Sequence, residues 1–181
     1  MTVLRADAQR NLDRILEAAT AAYAELGPDV TIDEIARRAG VGHGTVFRRF
    51  PTKDALRAAV IRARLDELLA DAHKLLEGPD AAAAFEEFVW TAADVSRRDR
   101  ALFDGIEQYE GFADVMDAKE ELHDTVGKLI HRAQREGALR SGLDARDIGA
   151  LVGAAIKASM HAEREDAWRR YVQVVLDGLR P

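Results

Sequence analysis

Residues 31–56 read TIDEIARRAGVGHGTVFRRFPTKDAL. Thr31 suits a helix N-cap, because its hydroxyl can accept from an otherwise orphaned amide, and Glu34 stands three residues on, where a capping box needs it. Ile32, Ile35, Ala36 and Ala39 recur at helical spacing and give one apolar face. Ala36 is small enough to let a second helix come close. Gly40 is placed to take the left-handed conformation that ends a helix, and Val41 can plug the corner behind it. A second helix then runs from Gly42 or His43 to Phe50, with Val46, Phe47 and Phe50 on its apolar side. Pro51 cannot continue that helix, and Thr52 can cap the next one from Lys53.

Two short helices joined by a glycine turn form the pattern of a helix-turn-helix. His43, Gly44, Thr45, Arg48 and Arg49 are left on the outside of the second helix. These residue types suit DNA. An α-helix fits the major groove, where Arg binds guanine through two hydrogen bonds and Thr or His reaches base edges. Gly44 removes a side chain where backbone and DNA approach each other. Thr45 and Lys53 suit phosphate contacts, which set register rather than sequence. Read from the residues alone, a helical hairpin with a solvated basic face stays open as the alternative.

The segment resembles the DNA-binding domain of the tetracycline-repressor (TetR) family. The resemblance rests on Thr31, Ile35, Ala36, Ala39, Gly40, Val41, Gly44, Thr45, Val46, Phe50, Lys53 and Leu56, and covers roughly residues 10–60. Two positions depart from the usual pattern. Phe47 stands where the family usually has Tyr, so a hydroxyl that would reach phosphate is absent while the ring keeps its packing role. Arg49 stands where many relatives have His. The resemblance implies an all-α protein with an N-terminal three-helix DNA-binding domain, residues 1–54, and a C-terminal helical bundle for ligand binding and dimerisation, residues 55–181. It also implies a sequence-specific regulator, in most cases a repressor, acting on double-stranded operator DNA. The expected DNA-contacting residues are Thr31, Arg38, Gly42, His43, Gly44, Thr45, Phe47, Arg48, Arg49 and Lys53. The stretch 131–154, HRAQREGALRSGLDARDIGALVGA, is similar to the carboxyl half of an SbtR-like branch of the same family.

A chain of 181 residues can hold one or two domains with real cores. With 48% hydrophobic and 32% charged residues it reads as soluble and globular. The absence of cysteine excludes disulfides, thiolate metal sites and thiol nucleophiles. The amino terminus, MTVLRADAQRNLDRIL, has acids and no apolar core, so it does not read as a secretory signal. No apolar run approaches the roughly 20 residues of a membrane helix, so no membrane partner and a cytoplasmic location are expected. A net charge of −6 disfavours DNA as a partner, but residues 1–57 carry +1 and residues 58–181 carry −7. Arg37, Arg38, Arg48, Arg49, Lys53 and Arg57 cluster in or beside the reader, and a local basic patch is what counterion release requires.

The rest of the chain reads as helix, with each proline at a boundary. Leu12, Ile15, Leu16, Ala19, Tyr23 and Leu26 mark a first helix closed by Gly27-Pro28. Leu56 to Leu76 marks a long fourth helix, the natural lever between reader and bundle. Further helices are expected over about 80–97, 100–108, 112–136, 144–160 and 163–179. In the last two, small residues three and four apart (Gly149, Ala150, Gly153, Ala154, Ala158) pair with an apolar stripe. They suggest a four-helix dimer interface built on Gly149, Val152, Gly153, Ile156, Trp168, Tyr171, Val172 and Val175, unless these faces pack within one subunit. A two-fold dimer doubles the bases read and matches a palindrome, its half-sites about 34–36 Å apart when one turn separates them.

Aromatic residues concentrate between residues 85 and 116. A small, mostly apolar effector is expected there, since ligand sites are usually apolar with a few polar anchors. The expected lining is Phe85, Phe88, Val89, Phe103, Ile106, Glu107, Tyr109, Met116 and His123, and the alternative is a plain aromatic core. Such an effector would tilt the fourth helix, change the spacing of two readers and lower operator affinity. Nothing points to an enzyme. No serine sits in a Gly-x-Ser-x-Gly elbow, and VGHGT lacks both P-loop spacing and a preceding strand. Glu120-x-x-His123 has the spacing of a helical di-iron ligand pair but no second copy. No cofactor and no metal are expected.

Overall fold

A computed structural model describes residues 2–103 and 113–181. The described residues form helices and turns, with no strand. In chain order they are α1 (Thr2–Leu26), α2 (Ile32–Ala39), α3 (His43–Arg49), α4 (Lys53–Leu76), α5 (Ala81–Arg98), α6 (Arg100–Phe103), α7 (Ala113–Arg135), α8 (Ala145–Ser159) and α9 (Ala167–Gly178). None is long and apolar enough to cross a membrane.

The helices divide into two compact units. The first holds α1, α2, α3, α4 as far as Arg64, and α6. Its core comes from Ile15, Ala19, Ala22 and Tyr23 of α1, Ile35, Ala36 and Ala39 of α2, Val46 of α3, Phe50, and Leu56, Val60 and Ile61 of α4. Leu26, expected on the inner stripe of α1, is 51% exposed at the helix end. Gly27 closes α1 at φ +76, and its amide donates to the Tyr23 carbonyl at 3.0 Å.

Leu65–Arg98 and Met116–Pro181 make the second unit. Phe85, Phe88 and Val89 of α5, Leu122, Val126, Leu129 and Ile130 of α7, Ile148, Val152 and Ile156 of α8, and Trp168, Val172 and Leu176 of α9 are buried in it. Asp144 caps α8 in a reciprocal box with Asp147, its side chain accepting from the Arg146 and Asp147 amides. Arg132 of α7 donates to the carbonyls of Leu76, Gly78 and Pro79, which closes the end of α4 and the turn after it. The last helix starts at Ala167, later than its pattern suggests, because residues 160–166 form turns in which Arg164 pairs with Asp166 at 2.9 Å. The expected helix over 100–108 is described only as far as Phe103.

Candidate nucleic-acid interface

The reader begins with α2. The Thr31 hydroxyl accepts from the Glu34 amide at 3.2 Å, as an N-cap should. The capping box stays half-made, because Glu34 turns its carboxylate to Arg37 at 2.6 Å and Arg38 at 2.7 Å. Those two guanidiniums, Arg37 first, pull the Glu34 carboxyl down to about 2. Arg38 also donates to Glu25 of α1 at 2.7 Å, which ties α2 to α1. Its charge is therefore compensated by two carboxylates before any phosphate arrives. At the far end, Gly40 adopts φ +64, and the Val41 amide reaches back to the Ala36 carbonyl at 3.1 Å. This is the left-handed stop that the sequence implies.

Only seven residues long, α3 buries one of its residues, Val46. Phe50 just beyond it is also buried. Phe47 does not join that apolar side, as its sequence position suggested: it is 51% exposed. Its ring lies beside the His43 ring, centroids 6.1 Å apart and planes within 15°. His43 Nδ1 in turn sits 2.5 Å from Asp33 Oδ1 on α2. Gly42, His43, Gly44, Arg48 and Arg49 are exposed, while Thr45 is half-buried. The Arg48 Nε donates to the Gly44 carbonyl at 3.1 Å, one turn back along the helix. A Cβ added at Gly44 would meet nothing within 4 Å, so the protein's own packing does not require glycine there. Lys53 is half-buried at the start of α4, where the Thr52 hydroxyl accepts from the Ala55 amide at 3.0 Å.

Two features were not visible as site elements in the sequence. Asp33 joins the reader by holding His43, across ten positions and between two helices. Arg57, counted with the basic patch, is instead 6% exposed and donates its Nε to the Leu102 carbonyl at 2.8 Å. Farther along α4, Arg62 donates to the Asp114 carbonyl at 3.0 Å, and Arg64 forms an ion pair with buried Asp99 at 2.9 Å. All three cations are engaged within the first unit.

The expected effector residues fall unevenly. Phe85, Phe88 and Val89 are buried in the second unit, and Phe103, in the first, is half-buried. Met116 is 39% exposed. Ile106, Glu107 and Tyr109 lie outside the described residues. His123 is half-buried, and its buried Nδ1 meets no hydrogen-bond partner among the described residues. Burial pushes this imidazole below its ordinary value, against the opposing pull of Glu120. Glu120 itself binds Arg146 at 2.5 Å. Among the described residues no group of three or more His, Asp or Glu is placed to hold a metal ion.

The expected dimer residues divide by face. Val152, Ile156, Trp168 and Val172 are buried inside the second unit, where Trp168 meets Trp90 edge-on at 6.0 Å. These four therefore belong to the protomer's own core. Gly149, Gly153 and Tyr171 are exposed, and Val175 is half-buried. Leu151, Met160 and Val174 are also exposed, by 45%, 38% and 69%.

Known proteins place this arrangement. Residues 15–60 match the model of the bacterial regulatory proteins of the tetR family, and residues 80–181 match the C-terminal domain of SbtR-like transcriptional regulators. An uncharacterized HTH-type transcriptional regulator of Mycobacterium tuberculosis is 31% identical over 144 residues, covering 77% of this chain and 74% of that protein. An HTH-type transcriptional repressor of the same organism is 37% identical over 118 residues, covering 61% and 60%. The crystal structure of a TetR transcription regulatory protein from Mycobacterium vanbaalenii superposes with a TM-score of 0.75 at 37% identity, over 98% of this chain and 99% of that one. With its half-made cap, glycine stop and exposed α3, the chain belongs to the TetR family of DNA-binding transcriptional regulators.

Proposed function

We propose that the chain is a dimeric repressor that reads a palindromic operator through α3 and is released from it by a small, mostly apolar effector. The observation that carries the reading is the outer surface of α3. His43, Gly44, Phe47, Arg48 and Arg49 are all exposed on one seven-residue helix whose inner side is anchored by Val46. His43, Arg48 and Arg49 read base edges. Thr31 is exposed, and with its lone pair engaged by the Glu34 amide its hydroxyl hydrogen is free to donate to phosphate. Lys53 supplies a second phosphate contact. That a related mycobacterial protein is named a repressor favours repression over activation.

Dimerisation is supported by small and apolar residues left exposed on α8 and α9, two packed helices: Gly149, Gly153, Leu151, Tyr171 and Val174. The interface is accordingly drawn on these residues with Val175, not on Val152, Ile156, Trp168 and Val172. The effector reading rests on the aromatic stretch of α5, with the buried His123 Nδ1, which meets no partner among the described residues, as a polar anchor. Effector binding shifts α4, one continuous helix from Lys53 to Leu76, and thereby lowers operator affinity. The chain acts on DNA in the cytoplasm and performs no catalysis.

Selection of bound sequences from random duplex DNA at two salt concentrations tests this reading. Enrichment of a palindrome that survives moderate salt is expected. Weak binding without a motif, lost at moderate salt, would overturn it.

A further inference from the structure

His43 stands at the first position of α3, and its ring is held from two sides. Its Nδ1 is 2.5 Å from the Asp33 carboxylate, and its face lies along the Phe47 ring. The pair is exposed, His43 by 55% and Asp33 by 79% of their side chains, so its contribution to stability is small. Its consequence is chemical. An ionised carboxylate has no hydrogen to give, so Nδ1 must carry the hydrogen in this contact. In the neutral ring the other nitrogen, Nε2, is then left as an acceptor.

We propose that Asp33 is a specificity-determining residue of the DNA reader: by fixing the tautomer of His43 it makes this histidine select a base with an exocyclic amine, adenine or cytosine. In the major groove adenine N6 and cytosine N4 offer hydrogens to an acceptor, whereas guanine O6 and N7 and thymine O4 offer only lone pairs. Asp33 touches no base; it acts through His43, as a positioning residue. Without it the imidazole is free to carry its hydrogen on either nitrogen, and the Nε2–H form donates to guanine. Phe47 restricts the ring's rotation, so one side chain cannot easily present the other nitrogen while Asp33 is in place. The inference rests on the reading of α3 as the base-contacting helix.

The test compares the motifs selected from random duplex DNA by the wild-type chain, Asp33→Ala and His43→Ala, each checked for an unchanged melting temperature. A 15N NMR spectrum of the His43 ring in the free wild-type protein accompanies it. The expected result is adenine or cytosine at one position of each half-site, preferred about fivefold for one net hydrogen bond. His43→Ala loses that preference alone, and Asp33→Ala admits guanine there while every other position keeps its base. The spectrum shows the neutral ring carrying its hydrogen on Nδ1, with Nε2 bare. A merely structural Asp33 would lower affinity for all sequences and leave every base identity in place, which overturns the proposal. So does a neutral ring with its hydrogen on Nε2 in the free protein, even if Asp33→Ala does not fold. A wild-type chain that enriches no motif sinks the reader itself, an outcome distinct from a motif that Asp33→Ala leaves intact.

Discussion

At the scale of single residues, the reader separates into groups with different expected signatures. Arg48 and Arg49 end α3 with exposed guanidiniums. Replacing either with Ala should cost about 1–3 kcal/mol of discrimination and relax specificity at one base pair, because a bidentate guanine contact is lost. Titration against the selected operator and its single-base variants measures this. An equal loss on every sequence would make them phosphate contacts instead. Lys53→Ala should do the opposite, weakening all sequences alike and reducing the slope of log affinity against log salt by about one. Gly44 offers a sharper contrast. Its Cβ space is empty and its φ is not left-handed, so Gly44→Ala should leave the fold unharmed or stabilise it by roughly 0.5–1 kcal/mol. The same methyl group projects from the exposed face and should lower DNA affinity. A variant that melts higher yet binds operator as well as wild type would remove Gly44 from the interface.

At the scale of elements, α2 shows how local chemistry sets a condition on the whole reader. Glu34 is held down to about 2 from an ordinary 4.5 by Arg37 and Arg38. For an acid depressed on folding, the stabilisation is complete above 4.5 and is lost as pH falls toward 2. Glu34→Gln should therefore melt lower than wild type at neutral pH, and the difference should close between those limits and shrink in high salt. A gap that persists near pH 2 would mean that packing rather than charge sets it. Much of α2 was legible beforehand, because its cap, its apolar face and its glycine stop all lie within one short window. What was not legible involves side chains that meet across sequence. Glu34 fits a capping box by spacing, but two arginines one turn away compete for it and win. Asp33 and His43 are ten apart on different helices, and Arg57 and Leu102 are forty-five apart, so no periodicity announces either pair. Phe47 departs from the apolar pattern of its helix for another reason. Seven residues make under two turns, and Val46 with Phe50 already fills the buried side, leaving the aromatic ring outside with His43. The helix pattern of α8 is ambiguous in a third way: apolar and small residues surround it, so spacing alone does not say which face looks inward.

For the whole molecule, the division of α8 into two faces becomes the argument for a partner. Ile148, Val152 and Ile156 turn into the second unit, while Gly149 and Gly153, along one edge of that buried stripe, are exposed with nothing within 4 Å of a Cβ. Each glycine inside a helix costs roughly 0.5–1 kcal/mol relative to alanine, and the protomer's own packing gives no return for it. Close approach of a second backbone does, and exposed Tyr171 and Val174 on α9, the helix packed against α8, provide apolar surface that a partner would cover. A two-fold pairing through this face also gives two copies of α3, the arrangement that a palindrome needs. Gly153→Arg should then produce a monomer by sedimentation with unchanged helix content, because a long charged side chain fills the contact while facing open solvent in the isolated protomer. Gly153→Ala should remain dimeric or weaken only modestly. The monomer keeps an intact reader, so its binding to a single half-site should match that of wild type at equal reader concentration, while its affinity for the full palindrome falls by orders of magnitude. That split separates loss of pairing from loss of folding. A Gly153→Arg protein that still sediments as a dimer and holds the palindrome would move the interface off α8.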